Sequence, residues 1–137
     1  MLAESGIYAI RACEILAQLD DNSVFPTRKI SEELDLSNQY LVKVLQKLKQ
    51  AGIVKSQKGA GGGVQLNIDP GKIKLYQIVE ASNPSFLDHL DPSGIEDLKD
   101  KHNKLYLILN RHMVDVQKFL KETTLKKFID YRSGGQL

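Results

Sequence analysis

A chain of 137 residues, 42% hydrophobic and 26% charged, has the length of one domain, or of one small domain with a dimerisation appendage, and an ordinary globular composition. One cysteine excludes an intrachain disulfide or a cysteine-only metal site, 7% aromatics without tryptophan argue against carbohydrate platforms, and no apolar run reaches the roughly 20 residues that span a bilayer. Net charge is only +2, yet residues 36–68 hold five lysines and no acid, while residues 80–101 hold six acids against two lysines, so the first window is a candidate polyanion-binding face.

Residues Glu4 to Leu19 carry Ile7, Tyr8, Ile10, Cys13, Ile15, Leu16 and Leu19 around a narrow polar stripe, which predicts a largely buried helix. A loop from Asp20 to Pro26 follows. Thr27 is then placed to cap a short helix from Arg28 to Leu34, and Asp35-Leu36 makes a tight turn. Ser37 is placed to cap a second helix from Asn38 to Ala51, with Leu41, Val44, Leu45 and Leu48 at helical spacing and Gly52 as its C-terminal stop. Two short helices on a tight turn, the second basic, have the layout of a helix-turn-helix.

After Gly52 the pattern becomes strand-like, with Ile53–Ser56 and Val64–Ile68 flanking a tip that holds Lys58, Gly59, Gly61, Gly62 and Gly63. Such a glycine-rich tip can approach another surface closely, as the wing of a winged helix does in a minor groove. Asp69-Pro70-Gly71 is a turn, and residues Ile73 to Ser82 should form a short extended segment and a helix. Asn83 to Gly94 reads as loop because Pro84 and Pro92 interrupt it. A long helix should start near Ile95 or His102 and end at Glu122, followed by a short one from Leu125 to Tyr131. Along the long helix Tyr106, Leu109, Met113, Val116 and Leu120 run at 3,4,3,4 spacing, wide enough to serve both the domain and a second copy of the chain.

Catalysis finds no support. The glycine cluster lies between two strands and lacks the phosphate-loop spacing, and His89, His102 and His112 form no metal-binding motif. Cys13 lies on an apolar helix with no histidine near in sequence, although spacing alone leaves open whether it senses oxidants. Nucleic-acid binding has several supports. Ser37, Asn38, Gln39 and Tyr40 open the second helix with side chains that hydrogen-bond phosphates and base edges, and Lys43 and Lys47 continue one face at i, i+4. Arg28, Lys58, Gly59, Gly61 and Gly62 complete the candidate DNA-binding set.

The segments GIYAIRA (Gly6 to Ala12), ISEELDLSNQYLVKVLQKLKQAGIVKSQKGAGGGVQL (Ile30 to Leu66), IKLYQIVEA (Ile73 to Ala81) and TTLKKFID (Thr123 to Asp130) resemble the IscR, NsrR and CymR group of bacterial winged-helix regulators. The most specific match is a basic residue followed by GxGGGxxL, here Lys58 to Leu66. The resemblance implies a homodimer on a pseudo-palindromic operator with the long helix crossing to the partner. It also implies recognition-helix roles for Ser37, Asn38, Gln39, Tyr40 and Lys43. Lys58 stands where the group often carries a minor-groove arginine. Cluster-binding members of the group have three cysteines in the loop before the long helix. Here residues 83–100 contain none, and Ile7 stands where some relatives place a carboxylate. A [2Fe–2S] centre needs four thiolate or imidazole ligands, so no metal and no cofactor is expected.

The expected protein is mostly α with a small β-hairpin wing: a winged helix-turn-helix in residues 1–82, an effector or sensor-like loop in 83–100, and a dimerisation helix with a C-terminal segment in 101–137. Its expected role is that of a cytoplasmic, homodimeric, non-enzymatic repressor of transcription. Double-stranded DNA is its partner, a small molecule or protein its effector, and no membrane is involved. Two other readings are a protein-interaction module docking an acidic partner and a cluster sensor with unusual ligands.

Overall fold

The computed structural model describes residues 4–20, 23–84 and 103–134, with the side chains of residues 4 and 103–110 left outside that description. Its elements are α1 (Glu4–Ala17), α2 (Thr27–Leu34), α3 (Asn38–Gln50), β1 (Val54–Gln57), β2 (Gly63–Leu66), α4 (Leu75–Ser82), α5 (Asn103–Glu122) and α6 (Leu125–Arg132). The order is that of a winged helix-turn-helix with a long helix after it.

Helix α1 is the centre of the molecule. Ala9, Ala12 and Cys13 have no exposed surface and Leu16 almost none, because α1 packs against α2, α3, α4 and α6. Small residues at 9, 12 and 13 let these helices approach closely. The core also draws on Ile30 and Leu34 of α2, the four periodic apolar residues of α3, Val54 and Val64 of the hairpin, and Leu75, Ile78 and Val79 of α4. Among the described residues, no helix is long and apolar enough to cross a membrane.

The turn between α2 and α3 places Asp35 in left-handed backbone (φ 53°), and the Leu36 amide donates to the Ser31 carbonyl at 2.9 Å. The Ser37 side chain accepts from the Tyr40 amide at 3.1 Å, capping α3 as its sequence predicts. At the other end Gly52 takes φ 75°, and the Ile53 amide reaches back to the Leu48 carbonyl. The start of α2 differs from expectation. Pro26, not Thr27, occupies the cap position, and no side chain caps the helix; Thr27 is its first helical residue.

The hairpin pairs Val54 with Leu66, Lys55 with Gln65, Ser56 with Val64 and Gln57 with Gly63. Phe25, within the expected loop, extends this sheet: its amide donates to the Val64 carbonyl at 2.8 Å and its carbonyl accepts from the Val64 amide at 2.9 Å. The base of the wing is thereby fastened to the entry of α2.

The C-terminal segment is woven into the same core. Lys74 bridges Thr124, the Leu75 amide donates to the Thr123 carbonyl, and the Leu125 amide donates to the Ile73 carbonyl, both at 2.9 Å. Leu120 and Leu125 are buried among the residues of the winged domain. Arg132 clamps Glu14 of α1 through Nη1, at 2.6 and 2.8 Å from its two carboxylate oxygens. The C-terminal part of residues 101–137 therefore closes the domain's own core. The expected sensor loop lies outside the described residues, apart from Asn83 and Pro84.

Candidate nucleic-acid interface

Helix α3 divides cleanly. Leu41, Val44, Leu45 and Leu48 are at most 3% exposed and fix its inner face, so Asn38, Gln39, Val42, Lys43, Gln46, Lys49 and Gln50 are left on the outside. At 100° per residue, Gln39, Lys43, Gln46 and Gln50 form the line pointing most directly away from the core. The N-terminal turn, held open by Ser37, presents Asn38 and Gln39 to solvent. Amides of this kind can bond an adenine edge bidentately when a helix enters a major groove.

Two members of the predicted set sit differently from a free base or phosphate contact. Tyr40 is half-buried and stands edge-on to Tyr8 of α1, ring centroids 6.0 Å apart at 85°. It therefore joins α1 to α3 while keeping one edge at the surface. The Lys47 ammonium donates to the carbonyl of Ser82, the last residue of α4, at 3.4 Å. A cation at a helix C-terminus faces unsatisfied carbonyls and the negative end of the dipole, which explains the direction the side chain takes. Lys43, Lys47, Tyr40, Ser5 and Ser82 line a cleft of about 380 Å³ between α3, the start of α1 and the end of α4. The spacing of Lys43 and Lys47 placed both on one face; the partner of Lys47 comes from an element 35 residues away and could not be read from spacing.

Arg28 projects from the first turn of α2 and pairs with Glu32 at 3.2 Å, both side chains being largely exposed. A pair this exposed is held by little and leaves the guanidinium available to another anion.

At the wing, Lys58 is exposed and Gly59 and Gly61 take positive φ (99° and 75°) with open space around them. The neighbouring glycines are required by the hairpin itself. A Cβ on Gly62 would lie 2.3 Å from the Gln57 carbonyl oxygen, and one on Gly63 would lie 2.4 Å from the Phe25 carbonyl oxygen. The close approach that demands glycine at 62 and 63 is thus internal.

Of the expected dimer seam on α5, Met113 is half-buried and Val116 is 39% exposed, with Phe119 beside it at 37%. Leu120 is 2% exposed and belongs to the intramolecular core, so its apolar surface is already used within the chain. The side chains of Tyr106 and Leu109 lie outside the described residues.

Cys13 is fully buried in α1, and desolvation pushes its thiol up to about 12. A thiol so strongly held in its neutral form is neither a nucleophile nor a metal ligand at ordinary pH. His112 is exposed on α5, His89 and His102 lie outside the described residues, and among the described residues no group of three or more His, Cys, Asp or Glu side chains could hold a metal. The single cysteine of the sequence cannot by itself supply the several thiolates of a cysteine-ligated cluster.

The Rrf2 family model (iron-dependent transcriptional regulator) matches residues 2–131. An assigned HTH-type transcriptional regulator of Haemophilus influenzae is 31% identical over 134 residues, covering 96% of this chain and 88% of that protein. The regulator NsrR of Bacillus subtilis is 30% identical over 79 residues, covering 58% of this chain and 54% of its own length. Among solved structures, CymR, the global cysteine regulator of B. subtilis, superposes with a TM-score of 0.76 at 26% identity, covering 96% of this chain and 97% of that one. IscR of T. potens superposes at 0.72 over the whole chain and 93% of its own, and at 24% identity it supports the fold.

Proposed function

The chain belongs to the Rrf2 family of winged-helix transcriptional regulators, a non-enzymatic family, and on that premise we propose that it is a homodimeric repressor of a pseudo-palindromic operator that works without an iron-sulfur cluster. The observation that carries this reading is the division of α3. Its inner face is saturated with buried leucine and valine, and its capped N-terminal turn offers Asn38 and Gln39 outward above a line of exposed lysine and glutamine. In this reading Asn38 and Gln39 touch base edges. Ser37, Lys43 and Arg28 hold phosphates, and Lys58 with the open tip glycines 59 and 61 enters the minor groove. Tyr40 orients α3 through Tyr8 and uses its exposed edge on the backbone. Lys47 chiefly secures the end of α4.

Met113, Val116 and Phe119 of α5 supply the apolar strip for a second copy, which sets two recognition helices on two half-sites. Residues 83–100 form the segment through which a small molecule or a protein alters the geometry of the dimer. The reading without a cluster rests on the donor set, one buried thiol and three separated imidazoles.

Selection of genomic fragments by the purified full chain, followed by titration of the selected operator, tests the assignment. Gln39→Ala should weaken the operator by about 1–3 kcal/mol and random DNA little, whereas Lys43→Ala should weaken both and lower the salt slope by about one. Equal losses on operator and random DNA for Gln39→Ala would remove it from base reading. Salt-dependent binding without any sequence preference would favour a chain that docks an acidic partner.

A further inference from the structure

Helix α3 carries one large apolar side chain that the core does not use. Val42 is 45% exposed, while the four residues that anchor the helix are each buried to 3% or less. It lies one turn beyond Asn38 and Gln39 and one turn before Gln46, so it shares a surface patch with the two amides of the N-terminal turn. Val is a poorer helix former than the Lys and Gln around it, and the exposed 45% of its surface gains nothing from the hydrophobic effect, so neither local propensity nor packing accounts for the part that faces outward. Its branched side chain is stiff at χ1 and presents its methyl groups in a fixed direction with little freedom to lose on contact. An isopropyl group has no hydrogen-bonding atom and no charge, and it can neither hold a phosphate nor read a donor or acceptor. The apolar feature that a base edge offers in the major groove is the 5-methyl group of thymine.

We propose that Val42 is a specificity-determining residue whose exposed isopropyl group packs on the 5-methyl group of a thymine in each half-site, beside the bases read by Asn38 and Gln39. This rests on the DNA-reading assignment of α3 and adds to it a base identity. Cytosine at that position would lack the methyl and would place its amino group against an apolar surface, so it is rejected twice over.

The test removes only the methyl group. In the operator selected by the full chain, each thymine is replaced in turn by deoxyuridine, which leaves base pairing unchanged, and the wild type is compared with Val42→Ala. The expected result is one thymine per half-site at which deoxyuridine weakens the wild type roughly fourfold, the loss of about one methyl group's burial. At that thymine Val42→Ala should bind the thymine and deoxyuridine operators equally, and its thermal midpoint should match or exceed that of wild type because alanine favours the helix. Specific binding in which no thymine responds, or in which deoxyuridine weakens both proteins by the same factor, overturns the role of Val42 and leaves the recognition helix standing. Failure to select any sequence removes the DNA-reading assignment and this inference with it.

Discussion

Two apolar positions four residues apart on α5 should respond to truncation in opposite ways. Val116 keeps 39% of its surface exposed in the single chain, whereas Leu120 keeps 2%. Removing the two outer methyl groups of Val116 forfeits only the fraction a partner could still cover, about 0.6 kcal/mol per copy and about 1.2 kcal/mol for a symmetric pair, at about 0.8 kcal/mol per buried carbon. Val116→Ala should therefore weaken self-association about eightfold, and because the rest of that side chain is already covered within the chain it should lower the folding free energy by no more than about 1 kcal/mol, part of which the helix preference of alanine offsets. Val116→Asp should abolish association at micromolar concentration, because a carboxylate enclosed in an apolar seam without a partner costs several kcal/mol. Leu120→Ala should instead lower folding stability by about 2–5 kcal/mol through the cavity it leaves, with the association constant of the folded chain nearly unaltered. Sedimentation equilibrium gives the association constant and urea denaturation gives the stability, measured on the same preparations. A Val116→Asp chain that associates as tightly as wild type would refute the seam. A Leu120→Ala chain with wild-type stability and weakened association would refute the assignment of Leu120 to the core.

Ser37→Ala removes the oxygen that accepts from the Tyr40 amide and should cost about 1 kcal/mol of stability, read as a lower urea midpoint, with Ser37→Asp restoring it; an unchanged midpoint for Ser37→Ala would show that water replaces the cap. Gly63→Ala forces a methyl group against the Phe25 carbonyl and should separate the wing from residue 25. That change is visible as faster amide exchange at Val64 and Phe25, whereas Gly59→Ala, which meets no neighbour but is strained by its φ of 99°, should disturb the tip alone and leave that exchange unaltered. Cys13 should resist alkylation in the folded chain at pH 8 and react only on unfolding, since burial raises its thiol to about 12 from 9.0. The folded form holds that proton where the unfolded form releases it, so the thiol's contribution to stability is complete below about pH 9 and is lost as pH rises towards 12. Comparing the pH dependence of unfolding with that of Cys13→Ala isolates this contribution, and parallel curves would contradict it.

The helices were legible because each announces itself through local chemistry. The four-residue apolar stripe of α3 sits between a serine cap and a glycine stop, and both features form as written. The hairpin was legible from its change of period, although its strands run 54–57 and 63–66, not 53–56 and 64–68. What sequence could not supply was any direction set by a distant element. The 3,4 spacing put Leu120 and Val116 in one seam, but the return of residues 120–125 onto Ile73 and Leu75 turns the first inward. The spacing of Lys47 gave no sign that its ammonium also reaches the Ser82 carbonyl, at the end of α4 and 35 residues away. Thr27 resembled a cap because threonine favours that position, yet Pro26 already has the extended backbone (ψ 134°) that the position needs. Val42 was within reach of a helical-wheel projection, since it falls outside the arc of Leu41, Val44, Leu45 and Leu48.

The pairing of Lys74 with Thr124, fifty positions apart, also sets when the protein can finish folding during its synthesis. Translation delivers α3 and the wing before them. Ile73 and Leu75, both buried in the finished molecule, wait for Thr123 and Leu125 to supply their backbone partners and cover. Closing so long a segment is entropically slow compared with forming the local helices. A nascent chain halted after α4 would leave Ile73 and Leu75 without that cover, in a state prone to proteolysis and aggregation. Completion of the winged domain's core is thus tied to residues 123–125, about fifty positions after the segment they cover.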